Sequence, residues 1–364
     1  MKTNYSRREF ISAAGAATLA AAALPVWAQD AKKITIAFVG VAHIHTPSYL
    51  KICKNRPDVA IKYVWDHDAE RAARRAKEVG AQPVTDLKVI WSDPEVAAIV
   101  VLSETNLHHD LVLAAAKAGK HMFVEKPLGI TSDESVAMAA AIEQSGLLFT
   151  TGYFSRTDPK NIFLKGEIAA GNFGTITRVR ASNCHNGSQA GIFDKEWRWM
   201  ADPKISGVGA FGDLGTHKLD ILMWMLGDID SVTGVIQPVT HRYGDCDETG
   251  EALLQFKSGI IGTLGAGWVD IEDPVKLLIS GTQGHAVVYD DQLFYHSKKV
   301  AGTNSRQPFK NLPPETKLPM HQFLDAVAGA KGEPLVTPRE AAARVTAMQA
   351  IYEAAKGHKW VKVG

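Results

Sequence analysis

The sequence predicts an α/β unit built on a parallel sheet, followed by an α+β unit with a large, mainly antiparallel open sheet. Three observations carry this. Between residues 34 and 151, short β-branched runs alternate with helical stretches, which implies strand–helix–strand units and a sheet covered on both faces. Beyond residue 152, strand-like runs follow one another with few helices between them, which favours antiparallel pairing. The chain of 364 residues is long enough for two cores of ordinary size.

In chain order, the first segment stands apart. "SRREF" (6–10) precedes the Ala-rich run "ISAAGAATLAAAALPVWA", which ends at Ala28. Paired arginines, a weakly apolar middle and a small-x-small end describe a twin-arginine export peptide over residues 1–28, and hence a periplasmic or otherwise exported protein. A membrane anchor is the alternative. It is disfavoured because the run is short and Ala-dominated, and no second apolar segment approaches spanning length. Losing the peptide removes Lys2, Arg7 and Arg8 against Glu9, turning a formal charge of +1 into −1. A nearly neutral chain without a basic block gives no reason to expect nucleic acid or a membrane surface as partner. Cys53, Cys184 and Cys246 lack metal-type spacing. They read as isolated thiols, with one disulfide left open.

The α/β unit is expected over residues 32–151. Its strands are read at 34–39, 61–65, 97–102, 121–125 and 147–151, and its helices at 68–80, 109–119 and 132–146. Thr131 with Glu134 makes a capping-box pair before the last helix. Ligands of such a sheet sit beyond the carboxyl ends of its strands. The α+β unit, 152–336, holds one long helix near 213–226. Its strand-like runs are 175–183, 231–239, 251–256, 260–269, 276–281 and 285–290. A C-terminal helix and tail fill 337–364. There Thr337-Pro338-Arg339-Glu340 is a second capping box, and Val345, Met348 and Tyr352 recur at helical spacing before Gly357 as a stop.

Three stretches carry chemistry. The first, "VGVAHIHTP" (39–47), follows the first strand. Gly40 suits a nucleotide-binding turn, and Asp66, 21 residues past His45 at the next strand end, suits a ribose-binding carboxylate. That carboxylate would repel a 2′-phosphate, Asp68 is nearby and no arginine lies between Asp66 and Arg71, so NAD is favoured over NADP. Ala42 and His45 stand where further glycines belong, with His43 between. The His-x-His pair also fits a metal site of the amidohydrolase type. That barrel needs eight strand–helix units, and the second half of this chain does not alternate, so no metal is expected.

The second stretch, "ETNLHHDLVLAAAKAGKHMFVEKPLGIT" (104–131), ends a strand in Glu125-Lys126-Pro127. A lysine at a carboxyl strand end can donate to a substrate oxygen, and Pro127 fixes the backbone that aims it. The third is "SGVGAFGDLGTHKLDILMWMLG" (206–227). Asp213 and His217 are four apart, on one helical face, and suit a base and the group that orients it. Glycines 207, 209, 212 and 215 allow another surface or a ligand to approach closely.

Taken together, Asp66, "TNLHHDLVLAAAKAGKHMFVEKP", "GDLGTHKLDILMWMLG" and "ISGTQGHAVV" resemble the Gfo/Idh/MocA oxidoreductases over residues 33–364. The resemblance implies a Rossmann nucleotide domain, with Lys126, Asp213 and His217 facing substrate beside the nicotinamide. It maps cofactor contacts to Gly40, Asp66, Thr105, Asn106, His108 and Glu125, and to Lys126 beside the ring. Ala42, His43 and His45 would replace the glycine contacts with side chains. The chain departs from the family at that turn and at Glu104, where a proline is usual before "TNLH". The resemblance also implies pairing through the open sheet into a dimer or tetramer.

The function expected is NAD-linked oxidation of a secondary hydroxyl on a sugar, polyol or glycoside. His217 would take the proton, oriented by Asp213, while Lys126 bonds the oxygen. Tyr153, Arg156, Trp197 and Arg198 are candidates for the sugar-facing wall. Export away from free NAD suggests a cofactor that stays bound and is regenerated in place. The alternatives are glycoside cleavage by transient oxidation and a non-catalytic sugar-binding protein.

Overall fold

Strand β1 (Ile34–Val41) is buried at every position but Thr35, as a strand in the middle of a sheet covered on both faces must be. The computed structural model describes residues 33–364 except 333, so the export peptide proposed for 1–28 lies outside the described residues. After β1 come α1 (Thr46–Lys54), β2 (Val59–Trp65), α2 (Ala69–Val79), β3 (Gln82–Val84), α3 (Lys88–Ser92) and β4 (Val96–Leu102). The unit continues through α4 (His108–Lys117), β5 (His121–Val124), α5 (Ser132–Ser145) and β6 (Phe149–Thr151). The six strands lie in the order β3-β2-β1-β4-β5-β6, all parallel. Local chemistry sets the helix ends. The Asp68 side chain accepts from the Glu70 and Arg71 amides to start α2, and Gly80, at φ +71°, ends it.

The order reverses between β1 and β4, which opens a crevice at their carboxyl ends. Gly40 sits there at φ +83°. A Cβ on it would lie 2.4 Å from the Ser103 Cβ, so the turn accepts only glycine.

The second unit runs α6 (Pro159–Ala169), β7 (Ile176–Cys184), α7 (Pro203–Ser206), α8 (Ala210–Leu226), β8 (Ile229–Gln237), β9 (Thr249–Phe256) and β10 (Ile261–Gly267). It goes on through β11 (Val275–Gly281), β12 (Gly284–Tyr289) and β13 (Gln292–Ser297). The chain closes with α9 (Pro319–Val327), α10 (Pro338–Gly357) and β14 (Val361–Lys362). The eight strands are ordered β13-β12-β11-β7-β10-β9-β8-β14, and β7 with β10 is the one parallel pair. Helix α8 packs on β10 and β7, burying Leu219, Leu222, Val179, Leu264 and Trp268 in one core.

Two helices ignore the boundaries drawn from sequence. Helix α9, assigned to 152–336, buries Met320, Phe323 and Leu324 against Ile36, Phe38 and Phe123 of the first sheet. Helix α10 gives Ala341, Ala342 and Val345 to a core of the first unit, and Met348, Ile351 and Ala354 to that of the second. Its capping box is fully formed, but Gly357 remains helical and His358, at φ +47°, takes the left-handed position beyond it. All three cysteines are free, so the disulfide left open is not made. No described helix is long and apolar enough to cross a membrane.

Candidate active site

The short strand β5 delivers Lys126 to the crevice. The Glu125 amide still bonds the Val101 carbonyl, holding the strand end in register, and the Lys126–Pro127 peptide is cis. Lys126 is 2 % exposed and donates from Nζ to Asp213 Oδ1 at 2.7 Å and to the Asp213 carbonyl at 3.2 Å. Asp213 lies in the first turn of α8, and its Oδ2 accepts from Trp268 Nε1 at 3.2 Å. Burial pushes the Asp213 carboxyl up, but the Lys126 ammonium reverses this and holds it at about 2. The carboxyl therefore stays ionised.

His217, one turn along α8, is buried, and its Nδ1 has no hydrogen-bond partner among the described residues. The sequence reading had Asp213 orienting His217. Instead both Asp213 oxygens are engaged by Lys126 and Trp268, so this carboxylate aims the lysine. Burial, reinforced by the Lys126 charge, holds His217 well below the usual histidine value and hence neutral. The Phe154 ring lies 4.9 Å from the imidazole. Phe154, Asn161, Asn183, His217, Lys218 and Lys276 line a depression beside it. Burial lowers Lys218 to about 8.

On the other side, the turn after β1 is pinned to β4 by the Ala42 and His43 amides, which both bond the Leu102 carbonyl at 2.9 Å. His43 is buried and its ionisation is pushed down to about 3, chiefly by desolvation. His45 Nδ1 lies 3.3 Å from Glu125 Oε1. His43, His45 and Glu125 offer ligand atoms all within 4.8 Å of one another. The architecture gives no expectation of a metal, yet the geometry assembles three donors.

Asp66 stands where a ribose carboxylate belongs, but it is not free. Its Oδ2 accepts from the Val41 amide at 2.7 Å, and its Oδ1 from Arg71 Nη2 at 2.6 Å. Arg71 also reaches Glu104 Oε1 at 2.8 Å, and His67 joins the same oxygen at 3.0 Å. The case for NAD from a repelling carboxylate therefore needs amending, because a guanidinium offsets that charge. Glu104, the departure from the family's proline, is what completes the bridge.

The remaining predicted residues divide. Thr105 is buried and Asn106 exposed, both in a 3₁₀ turn at the end of β4. His108 is a strut: its ring nitrogens face the Leu128 carbonyl at 3.1 Å and the Ser103 carbonyl at 3.4 Å, leaving neither for a cofactor. The Tyr153 hydroxyl bonds Thr216 Oγ1 at 3.1 Å, behind His217. Arg156 forms no part of a sugar wall, being held by Asp220 at 2.6 Å and Glu340 at 2.8 Å. Arg198 is exposed, donates to the Ala201 carbonyl and lies over Tyr243, while Trp197 packs on the second core. The aromatic group that does reach the crevice is Trp199, whose Nε1 donates to the Ala42 carbonyl at 3.4 Å and whose ring lies 6.0 Å from His43. The glycine at 209 serves packing, since a Cβ there would strike Asp247 Oδ2 at 2.3 Å.

Residues 34–153 match the oxidoreductase family with an NAD-binding Rossmann fold, and residues 163–287 match the Gfo/Idh/MocA C-terminal domain. The chain belongs to the Gfo/Idh/MocA oxidoreductases. Within this family, levoglucosan dehydrogenase of Pseudarthrobacter phenanthrenivorans is 29% identical over 61% of this chain and 56% of its own. The NAD-dependent scyllo-inositol 2-dehydrogenase of Bacillus subtilis is 29% identical over 63% of this chain and 66% of its own. These matches thus span less than two thirds of the relatives' lengths. Among solved structures, levoglucosan dehydrogenase with NADH and L-sorbose superposes with a TM-score of 0.76 at 22% identity, covering 91% of this chain and 99% of that one. Aldose–aldose oxidoreductase from Caulobacter crescentus, complexed with glycerol, gives a TM-score of 0.76 at 20% identity, covering 91% and 100%. At these identities the likeness is one of fold.

Proposed function

We propose that this protein is an NAD-linked oxidoreductase acting on a secondary hydroxyl of a sugar, polyol or glycoside. The observation that carries the reading is the buried Lys126–Asp213 ion pair with neutral His217 beside it, next to the crevice at the sheet's reversal point. The family relatives are sugar and polyol dehydrogenases by name, which supports the substrate class. Gly40 and Asp66 fit a dinucleotide, provided Arg71 yields its place at the ribose carboxylate. When bound, the nicotinamide supplies a hydride acceptor.

The protein's own part follows from its charges. Asp213 keeps Lys126 aimed, and Lys126 donates to the substrate oxygen, stabilising negative charge as the O–H bond breaks. His217, neutral and without a partner at Nδ1, is free to take the proton. A purely sugar-binding protein has no need of a buried ammonium. Lys126→Met is expected to lower kcat/KM by about 10²–10⁴-fold on whichever sugar is turned over, with NAD+ binding retained. Turnover equal to wild type would sink the assignment.

The twin-arginine segment supports a finer reading: export of the folded protein with its cofactor on board, to a place without free NAD. The cofactor would then be recycled in the site, through a second sugar or through transient oxidation leading to glycoside cleavage. Mass spectrometry of the natively exported protein is expected to find one bound dinucleotide, and an empty protein would count against recycling.

A further inference from the structure

Glu125 poses a problem of charge. It is fully buried, and its one hydrogen-bonding contact is the 3.3 Å approach of His45 to Oε1, while Oε2 has no partner. The neighbouring Lys126 acts on it only through space, because its ammonium is hydrogen-bonded to Asp213 rather than to Glu125. The Tyr49 hydroxyl stands near the carboxylate, across Gly152, but carries no positive charge. Two buried carboxylates, Glu125 and Asp213, therefore share one lysine, and Glu125 Oε2 is left without a donor. An isolated carboxylate in such surroundings is costly unless a cation meets it.

We infer that His43, His45 and Glu125 bind a divalent transition-metal cation of the Zn2+ class. Two ligand atoms about 2.1 Å from one tetrahedral ion lie about 3.4 Å apart, and His45 Nδ1 and Glu125 Oε1 already stand 3.3 Å apart. The third donor lies within 4.8 Å, so one imidazole must close by about an ångström. His43 Nδ1 accepts a 3.2 Å bond from the His45 amide, so its lone pair must leave that amide to reach an ion. Two imidazoles and a carboxylate select zinc, iron(II) or cobalt(II) over magnesium and calcium, which prefer oxygen alone. Three protein ligands leave coordination positions open, as at catalytic rather than structural metal sites. Glu125 immediately precedes Lys126, so the trio stands next to the lysine proposed to hold the substrate oxygen.

The test needs neither sugar nor nucleotide. Untagged exported protein is stripped with chelator, re-equilibrated with Zn2+ or Co2+, and passed through a desalting column. One retained Zn2+ per chain by plasma mass spectrometry, and visible bands of a low-coordinate Co2+ that Zn2+ abolishes, are expected. His45→Asn and Glu125→Gln should each weaken Zn2+ binding by at least about 10-fold, with circular dichroism unchanged. Should Glu125→Gln fail to fold, His45→Asn, on a partly exposed turn, decides alone. Metal well below one equivalent, or equal binding by wild type and His45→Asn, would reduce the trio to an imidazole–carboxylate hydrogen bond. NAD+ binding measured on the same stripped sample separates this outcome from failure of the oxidoreductase reading.

Discussion

Lys126 sets the charge state of the groups around it. Its ammonium holds Asp213 ionised and depresses His217, two effects of opposite use to an enzyme unless the imidazole is to act as a base. The sign can be tested by following the His217 ring by NMR through a pH titration. In the wild type its midpoint is expected below that of an ordinary histidine. Lys126→Met removes a charge that lowers it, so the midpoint should rise; Asp213→Asn removes one that raises it, so the midpoint should fall. A midpoint indifferent to both would remove the electrostatic link. At this scale the sequence was informative about which residues matter and less so about what each one touches. Lys126, Asp213 and His217 were legible because strand end and helical spacing place them locally. Trp268, which takes half of Asp213, lies just past β10, and no local pattern ties it to α8. Arg71, noted in the sequence only as the first arginine after Asp66, is set against that carboxylate by the fold.

Long periodic elements were the readable ones. Helix α5 and α10 were anticipated from their caps, and the six principal runs of the second sheet from β-branched content. The three-residue β3 and five-residue α3 escaped because neither spans enough residues to show a period. Strand β13 does alternate, with Leu293 and Tyr295 inward and Gln292 and His296 outward, but it is too polar to stand out. Partnership was harder to read than existence. The pattern of α10 announced an amphipathic helix and could not say that its two ends serve different cores. Ile351, with no exposed surface, sits at the second of these. Ile351→Ala is expected to cost about 2–5 kcal/mol, read as a lower midpoint in denaturant unfolding with an unchanged slope. A loss under half a kcal/mol would mean the helix end is not packed as described.

Across the whole molecule, two cores share one helix, and a buried network ties the same helix to α8. Asp220 accepts from Arg156 at 2.6 Å and from Arg344 of α10 at 2.9 Å, and Glu340 completes it. Units joined in this way should melt together. Calorimetry of the protein is expected to show one transition whose van't Hoff and calorimetric enthalpies agree; two resolved peaks would show that α10 belongs to one core alone. This interlocking was the least legible property, because it depends on contacts between segments some two hundred residues apart.

The guanidinium that bridges the ends of β2 and β4 acquires a consequence in so tightly knit a body. Many clefts admit a long ligand by swinging their halves apart, but here one helix is packed into the cores of both units. On the proposed reading, a dinucleotide must trade places with Arg71 at Asp66, breaking two charged contacts before it makes its own. Loading and loss then become slow events governed by one side chain.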